Sequence, residues 1–156
     1  MCYVRMNDED AKPYGMLRTA DEWIDMARQA REAGVLYFVL TGGECTTFPG
    51  FAKLYKAAWK MGFRISIMSN AGAYTDEIRE LFGKYKPYGV SITLYGGSDE
   101  TYEKVTGDPH GLTKVLENVS FLRSVGIPVQ FSYTITKQNV HDYPLIGKIS
   151  AMTGIA

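Results

Sequence analysis

Apolar residues fall along this 156-residue chain in two alternating rhythms. Short runs rich in branched and aromatic side chains lie at 36–40, 64–69, 90–94 and 129–136, and each is followed by a polar turn. The segments between them carry apolar residues at helical spacing and are long enough for crossover helices, so the pattern predicts successive βα units and a parallel sheet.

The helices have legible ends. Thr19 and Glu22 form a capping box that satisfies two otherwise orphaned amides; Trp23, Ala27, Ala30 and Ala33 then follow on one face, and Gly34 suits a left-handed stop. Phe51, Leu54, Tyr55 and Ala58 repeat the spacing before Gly62, and Ile78, Leu81, Phe82 and Tyr85 repeat it between the cap Thr75 and the stop Pro87. The third crossover is longer: a short helix over 98–105, a Gly-Asp-Pro-His-Gly loop, then Leu112, Val115, Leu116, Val119 and Leu122 up to Gly126. A last helix is expected from about Asn139, capped by that side chain, through Leu145, Ile146 and Ile149.

These units make one α/β domain over 1–156, without a linker or low-complexity tract. Four parallel strands leave two open edges, so the natural protein is expected to continue in both directions. Composition narrows the function. Seventeen basic residues balance seventeen acidic ones, which gives no broad positive field and disfavours nucleic acid as a partner. No apolar run approaches the ~18 residues of a membrane span, no basic-then-apolar leader opens the chain, and the two cysteines are too few for a disulfide framework. A cytoplasmic protein without membrane partners is expected.

In parallel β/α folds, ligands sit at the C-terminal ends of the strands, where loops and helix N-termini converge. Three such ends carry polar, glycine-containing turns: Thr41-Gly42-Gly43-Glu44, Met68-Ser69-Asn70-Ala71 and Thr93-Leu94-Tyr95-Gly96-Gly97. Adjacent glycines let backbone approach a ligand closely, and Glu44 can pair with an ammonium group; an ordinary tight turn with a solvated glutamate is the alternative on those residues alone. His110 and His141 lack a paired ligand motif and read as surface residues, and the helix faces holding Trp23, Trp59, Phe51 and Tyr55 read as core. No Schiff-base lysine or acid/base pair stands at these strand ends, which argues against a conventional barrel lyase or aldolase.

Thr41-Gly42-Gly43-Glu44 after an apolar strand, with the helix opening Thr19-Ala20-Asp21-Glu22-Trp23 before it, resembles the radical S-adenosylmethionine (radical SAM) family. Met68-Ser69-Asn70-Ala71-Gly72, the strand at 90–96 and Glu100-Thr101-Tyr102-Glu103-Lys104-Val105-Thr106-Gly107 resemble, in the same order, the members that modify peptides or carry a second cluster domain. The resemblance implies a partial TIM-like (β/α) barrel with outer helices, truncated at both ends. It implies that Gly42, Gly43 and Glu44 hold the methionine amino group of S-adenosylmethionine and that Thr93, with Ser91 on the same strand face, holds the ribose. Asn70, Ser132 and Thr134 are weaker candidates; for the last two, simple satisfaction of nearby backbone groups is an equal alternative.

The family's C-x3-C-x2-C cluster motif is matched only at its end. Cys2 would be the third ligand of a [4Fe–4S] cluster, Met1 would pack near adenine, and the first two cysteines are missing; Cys45 follows the glutamate and reads as an apolar filler or rim thiol. What the resemblance implies for the full-length form is reductive cleavage of S-adenosylmethionine to a 5′-deoxyadenosyl radical that abstracts hydrogen, fed by an external electron donor and acting on a possible peptide substrate. This chain alone is expected to be inactive. A non-catalytic module that keeps the fold and some nucleoside binding is the alternative.

Overall fold

A computed structural model describes residue 15 and residues 17–155. Four strands, β1 (Tyr37–Leu40), β2 (Arg64–Ser69), β3 (Gly89–Leu94) and β4 (Val129–Tyr133), form one sheet in sequential order. Every neighbouring pair is parallel, with Leu40 opposite Ile67, Ser69 opposite Ile92 and Leu94 opposite Tyr133. Helices α1 (Ala20–Glu32), α2 (Phe51–Lys60), α3 (Asp76–Lys84), α4 (Asp99–Thr106), α5 (Gly111–Ser124) and α6 (Tyr143–Thr153) alternate with the strands, α4 and α5 sharing the third crossover.

The two faces of the sheet differ. Ile65, Ile67, Val90, Ile92 and Leu94 are buried in one core with Phe51, Leu54, Tyr55, Ala58, Leu81, Phe82, Val115, Val119 and Leu122 of the helices. Strand side chains alternate by a period of two, so the intervening Tyr37, Val39, Met68, Gln130 and Ser132 fall on the other, open face. That asymmetry is what a partial barrel requires, with helices outside and the opposite sheet face lining the interior.

The helix ends follow the expected chemistry. Thr19 and Glu22 complete their box, with the Thr19 amide and hydroxyl donating to Glu22 Oε2 at 2.7 and 2.9 Å. Thr75 caps α3 and Ser98 caps α4, each accepting from the amide three residues on. Phe51 and Tyr55 are core as expected, but Trp23 and Trp59 are 38% and 42% exposed, because each indole lies at the margin of its helix's buried face. His110 and His141 are both on the surface.

Two expectations near the C-terminal end are corrected. The fourth strand ends at Tyr133, so Thr134 lies beyond it, and Asn139 does not cap a helix. Asn139 is fully buried and its side chain closes the chain after β4: Nδ2 donates to the carbonyls of Thr134 at 2.9 Å and Tyr95 at 3.0 Å, while Oδ1 accepts from the Thr136 amide at 2.6 Å. With the side chain turned back onto Thr134, Thr136 and Tyr95, it makes no hydrogen bond to the amides of the turn that follows. A 3₁₀ turn, Val140–Asp142, follows, and α6 starts at Tyr143.

Asp142, 4% exposed, ties this turn to the end of β3 by accepting from the Gly97 amide at 2.7 Å. A Cβ on Gly97 would collide with Leu145, and one on Gly96 would come within 2.7 Å of Thr101, so these glycines allow close packing. Burial by itself would push the Asp142 pKa up; hydrogen bonds from Thr101, Gly97 and Ser98, with His141 alongside, outweigh it and hold the carboxyl below its ordinary value. A carboxyl depressed on folding stabilises the fold above its unfolded pKa of about 4, and that contribution disappears as pH falls through the folded-state value. Asp142→Asn is therefore expected to cost about 1–3 kcal/mol in urea unfolding at pH 7, and its gap from the parent chain should narrow as pH drops below about 4.

Candidate functional site

The mouth at the C-terminal ends of β1, β2 and β3 is built around one carboxylate. Glu44 follows β1 and Gly42-Gly43, and its side chain reaches across to the end of β2. Oε1 accepts from the Thr46 hydroxyl at 2.7 Å and the Thr46 amide at 3.3 Å, and Oε2 accepts from the Asn70 amide at 2.8 Å. The Ser69 hydroxyl lies 2.9 Å from both oxygens. Glu44 thus joins two adjacent strand ends, a role that its position immediately after a double glycine does not disclose.

The turn after β2 is held from below as well. Ala71 takes a left-handed backbone with φ of 53°, unusual for a residue with a Cβ. Its amide donates to Ser69 Oγ at 2.8 Å, and its carbonyl accepts from the buried Asn118 of α5 at 2.7 Å. Asn118 Oδ1 in turn accepts from Arg79 of α3, at 3.1 Å from Nε and 2.9 Å from Nη2. The Asn70 side chain accepts from the Gly72 amide at 2.8 Å, which folds it onto its own turn.

Gly42 and Gly43 stand in contrast to the packed Gly96 and Gly97. A Cβ at either would meet no atom within 4 Å, and Gly42 has φ of 152°, a conformation that L side chains rarely adopt. The first glycine pair therefore exposes backbone at the mouth, while the second lets elements pack. On the open face of the sheet, Thr93 pairs with Ser132 across β3 and β4, and the Ser91 and Ser132 hydroxyls lie 3.4 Å apart. Ser91, Thr93 and Ser132 thus form a polar strip beside the exposed Met68, whose register partner is Ser91.

The structure brings Gly42, Gly43, Glu44 and Asn70 together at one rim and Ser91, Thr93 and Ser132 onto one sheet face. Thr134 is separated from that strip by the end of β4. Met1 and Cys2 lie outside the described residues. Ser69 and Asn118 were not legible as site residues: Ser69 is 25 positions from its carboxylate and Asn118 is 47 from its carbonyl, distances no local pattern spans. Thr46 is two residues from Glu44, and a short polar side chain at that offset was the one local signal. A cavity of about 270 Å³ adjoins the rim between Asn70, Gly72, Tyr95, Tyr102, Thr106 and Val115.

Among the described residues, no group of three or more His, Cys, Asp or Glu side chains is placed to hold a metal ion. The half-buried Cys45 is a poor ligand by its own chemistry: burial, then the charge of Glu44, pushes its thiol up to about 12, and metals take the thiolate. The exposed glycine backbone and the hydroxyl strip suit an amino-acid and nucleoside ligand; the described residues do not furnish an iron–sulfur site. Cys45 is expected to react with iodoacetamide at pH 8 at least about tenfold more slowly than the same thiol in the urea-unfolded chain, read by peptide mass spectrometry; reaction at the rate of the unfolded chain would contradict the burial.

A model of the radical SAM superfamily matches residues 1–146. The AdoMet-dependent heme synthase of Methanosarcina barkeri is 26% identical over 130 residues, covering 83% of this chain and 37% of that protein. The PqqA peptide cyclase of Bradyrhizobium diazoefficiens is 26% identical over 132 residues, covering 85% of this chain and 35% of that protein. The chain therefore spans little more than a third of the length of these relatives. Among solved structures, Streptococcus suis SuiB bound to its precursor peptide SuiA superposes with a TM-score of 0.77 at 20% identity, over 90% of this chain and 31% of SuiB. SuiB bound to S-adenosylmethionine gives 0.75 at 21%, over 88% of this chain and 32% of SuiB, a likeness of fold. With a family model spanning nearly its whole length and a parallel β/α sheet of matching architecture, this chain belongs to the radical SAM superfamily.

Proposed function

We propose that residues 1–156 are part of the core domain of a radical SAM enzyme, the part that grips S-adenosylmethionine by its amino-acid end and its ribose. The observation that carries this reading is the pair Gly42-Gly43, whose backbone lies open at the same mouth as the Ser91, Thr93 and Ser132 hydroxyls. An ammonium is met well by backbone carbonyls, and a ribose by hydroxyls spaced along one strand face. Asn70 stands at the rim between them. Superfamily membership and the fold shared with SuiB support the reading.

In the longer protein, Cys2 with two cysteines upstream would hold the [4Fe–4S] cluster, and Met1 would pack near adenine. When bound, the cluster supplies the electron, delivered by an external donor, that cleaves S-adenosylmethionine to methionine and a 5′-deoxyadenosyl radical. The side chains of this chain bind and orient; none is needed as acid or base. The substrate class proposed is a peptide, supported by two relatives whose names carry one, the PqqA peptide cyclase and SuiB with SuiA.

Anaerobic reconstitution with iron and sulfide tests the proposal. The 156-residue chain is expected to bind S-adenosylmethionine but to form no stable cluster and cleave none of the nucleoside, whereas a chain extended upstream to include two further cysteines should do both. Cleavage by the short chain would contradict the assignment of the missing ligands. Binding by both chains with cleavage by neither would favour a non-catalytic module.

A further inference from the structure

We propose that Ser69 is a positioning residue: it holds the Glu44 carboxylate onto the protein, leaving the ligand's ammonium to the backbone of Gly42 and Gly43. The inference rests on the reading of this mouth as an S-adenosylmethionine site and goes beyond it in saying which atoms of the turn do the holding.

A carboxylate offers about four lone-pair directions. Four protein donors already point at Glu44: the Thr46 amide, the Thr46 hydroxyl, the Ser69 hydroxyl and the Asn70 amide. Turning this carboxylate toward an ammonium would strip bonds from two backbone amides at a half-buried position. Ser69 is the keystone. It is 5% exposed, shares its one proton between the two carboxylate oxygens, and accepts from the Ala71 amide at 2.8 Å, so its proton is committed to the carboxylate and unavailable to a ligand.

The Ser69 bonds also connect the carboxylate to the left-handed Ala71, which Asn118 anchors from α5. The β1 turn is therefore fixed relative to the β2 turn through the side chains of Glu44, Ser69 and Asn118. What remains facing outward is the peptide backbone of two glycines with open space beside them.

Calorimetric titration of the 156-residue chain with S-adenosylmethionine and with 5′-methylthioadenosine, which lacks the amino-acid portion, tests the proposal. Ser69→Ala and Glu44→Gln are each expected to weaken S-adenosylmethionine binding about tenfold or more, the double variant to be no weaker than the worse single one, and 5′-methylthioadenosine binding to stay unchanged. Unchanged or tighter S-adenosylmethionine binding by Ser69→Ala beside a loss in Glu44→Gln would mean that the carboxylate itself meets the ammonium, and would overturn the proposal. Equal weakening of both nucleosides would also overturn it, as a general structural loss. The Asn70 amide proton, held by the carboxylate, gives a ligand-free readout: it should move upfield in both variants, and an unmoved resonance in Ser69→Ala refutes the clamp. If the parent chain binds neither nucleoside, the reading of the mouth fails and the Asn70 resonance alone decides the role of Ser69.

Discussion

The hydrogen bonds that converge on the Glu44 carboxylate are the interaction on which the mouth depends. Parallel strands fix backbone register, but they do not fix the turns that leave their ends, and a ligand is met by those turns. Here one half-buried charge accepts from the turn that follows its own strand and from the turn of the next, with the Asn70 amide at 2.8 Å and the Ser69 hydroxyl at 2.9 Å. Bonds to an ionised acceptor are roughly twice as strong as neutral ones, and at a partly buried position they compete with little water.

The second tie, between the ends of β3 and β4, works by the same logic with different residues. Asn139 and Asp142 are both buried and both spend their side chains on backbone groups of the neighbouring strand end, at Tyr95 and Gly97. One tie sets the β1 end against the β2 end and the other sets the β3 end against the β4 end, while the apolar core beneath them supplies the burial that stabilises the sheet.

Much of this was legible in the sequence because its signals are local. The Thr19 and Glu22 box, the caps at Thr75 and Ser98 and the period-two strands each depend on residues within a few positions of one another. The double glycine and following glutamate marked a strand end at which the backbone lies open. What stayed hidden was set by long-range contacts: the bonding of Glu44 to Ser69, the support of Ala71 by Asn118, and the use of Asn139 as a staple instead of a cap. Two glycine pairs of identical sequence stand in opposite surroundings, open space beside Gly42 and Gly43 and packed side chains against Gly96 and Gly97, which the sequence alone does not distinguish.

The central claim is that an amino-acid nucleoside enters at the ends of β1 to β3 and lies along the open sheet face. Amide-resolved NMR of the isotope-labelled chain titrated with S-adenosylmethionine measures this directly. The account predicts saturable shifts at Gly42, Gly43, Asn70, Ser91 and Thr93, with little change in the outer helices. Saturable shifts confined to the helical face or to the opposite, N-terminal ends of the strands would contradict it.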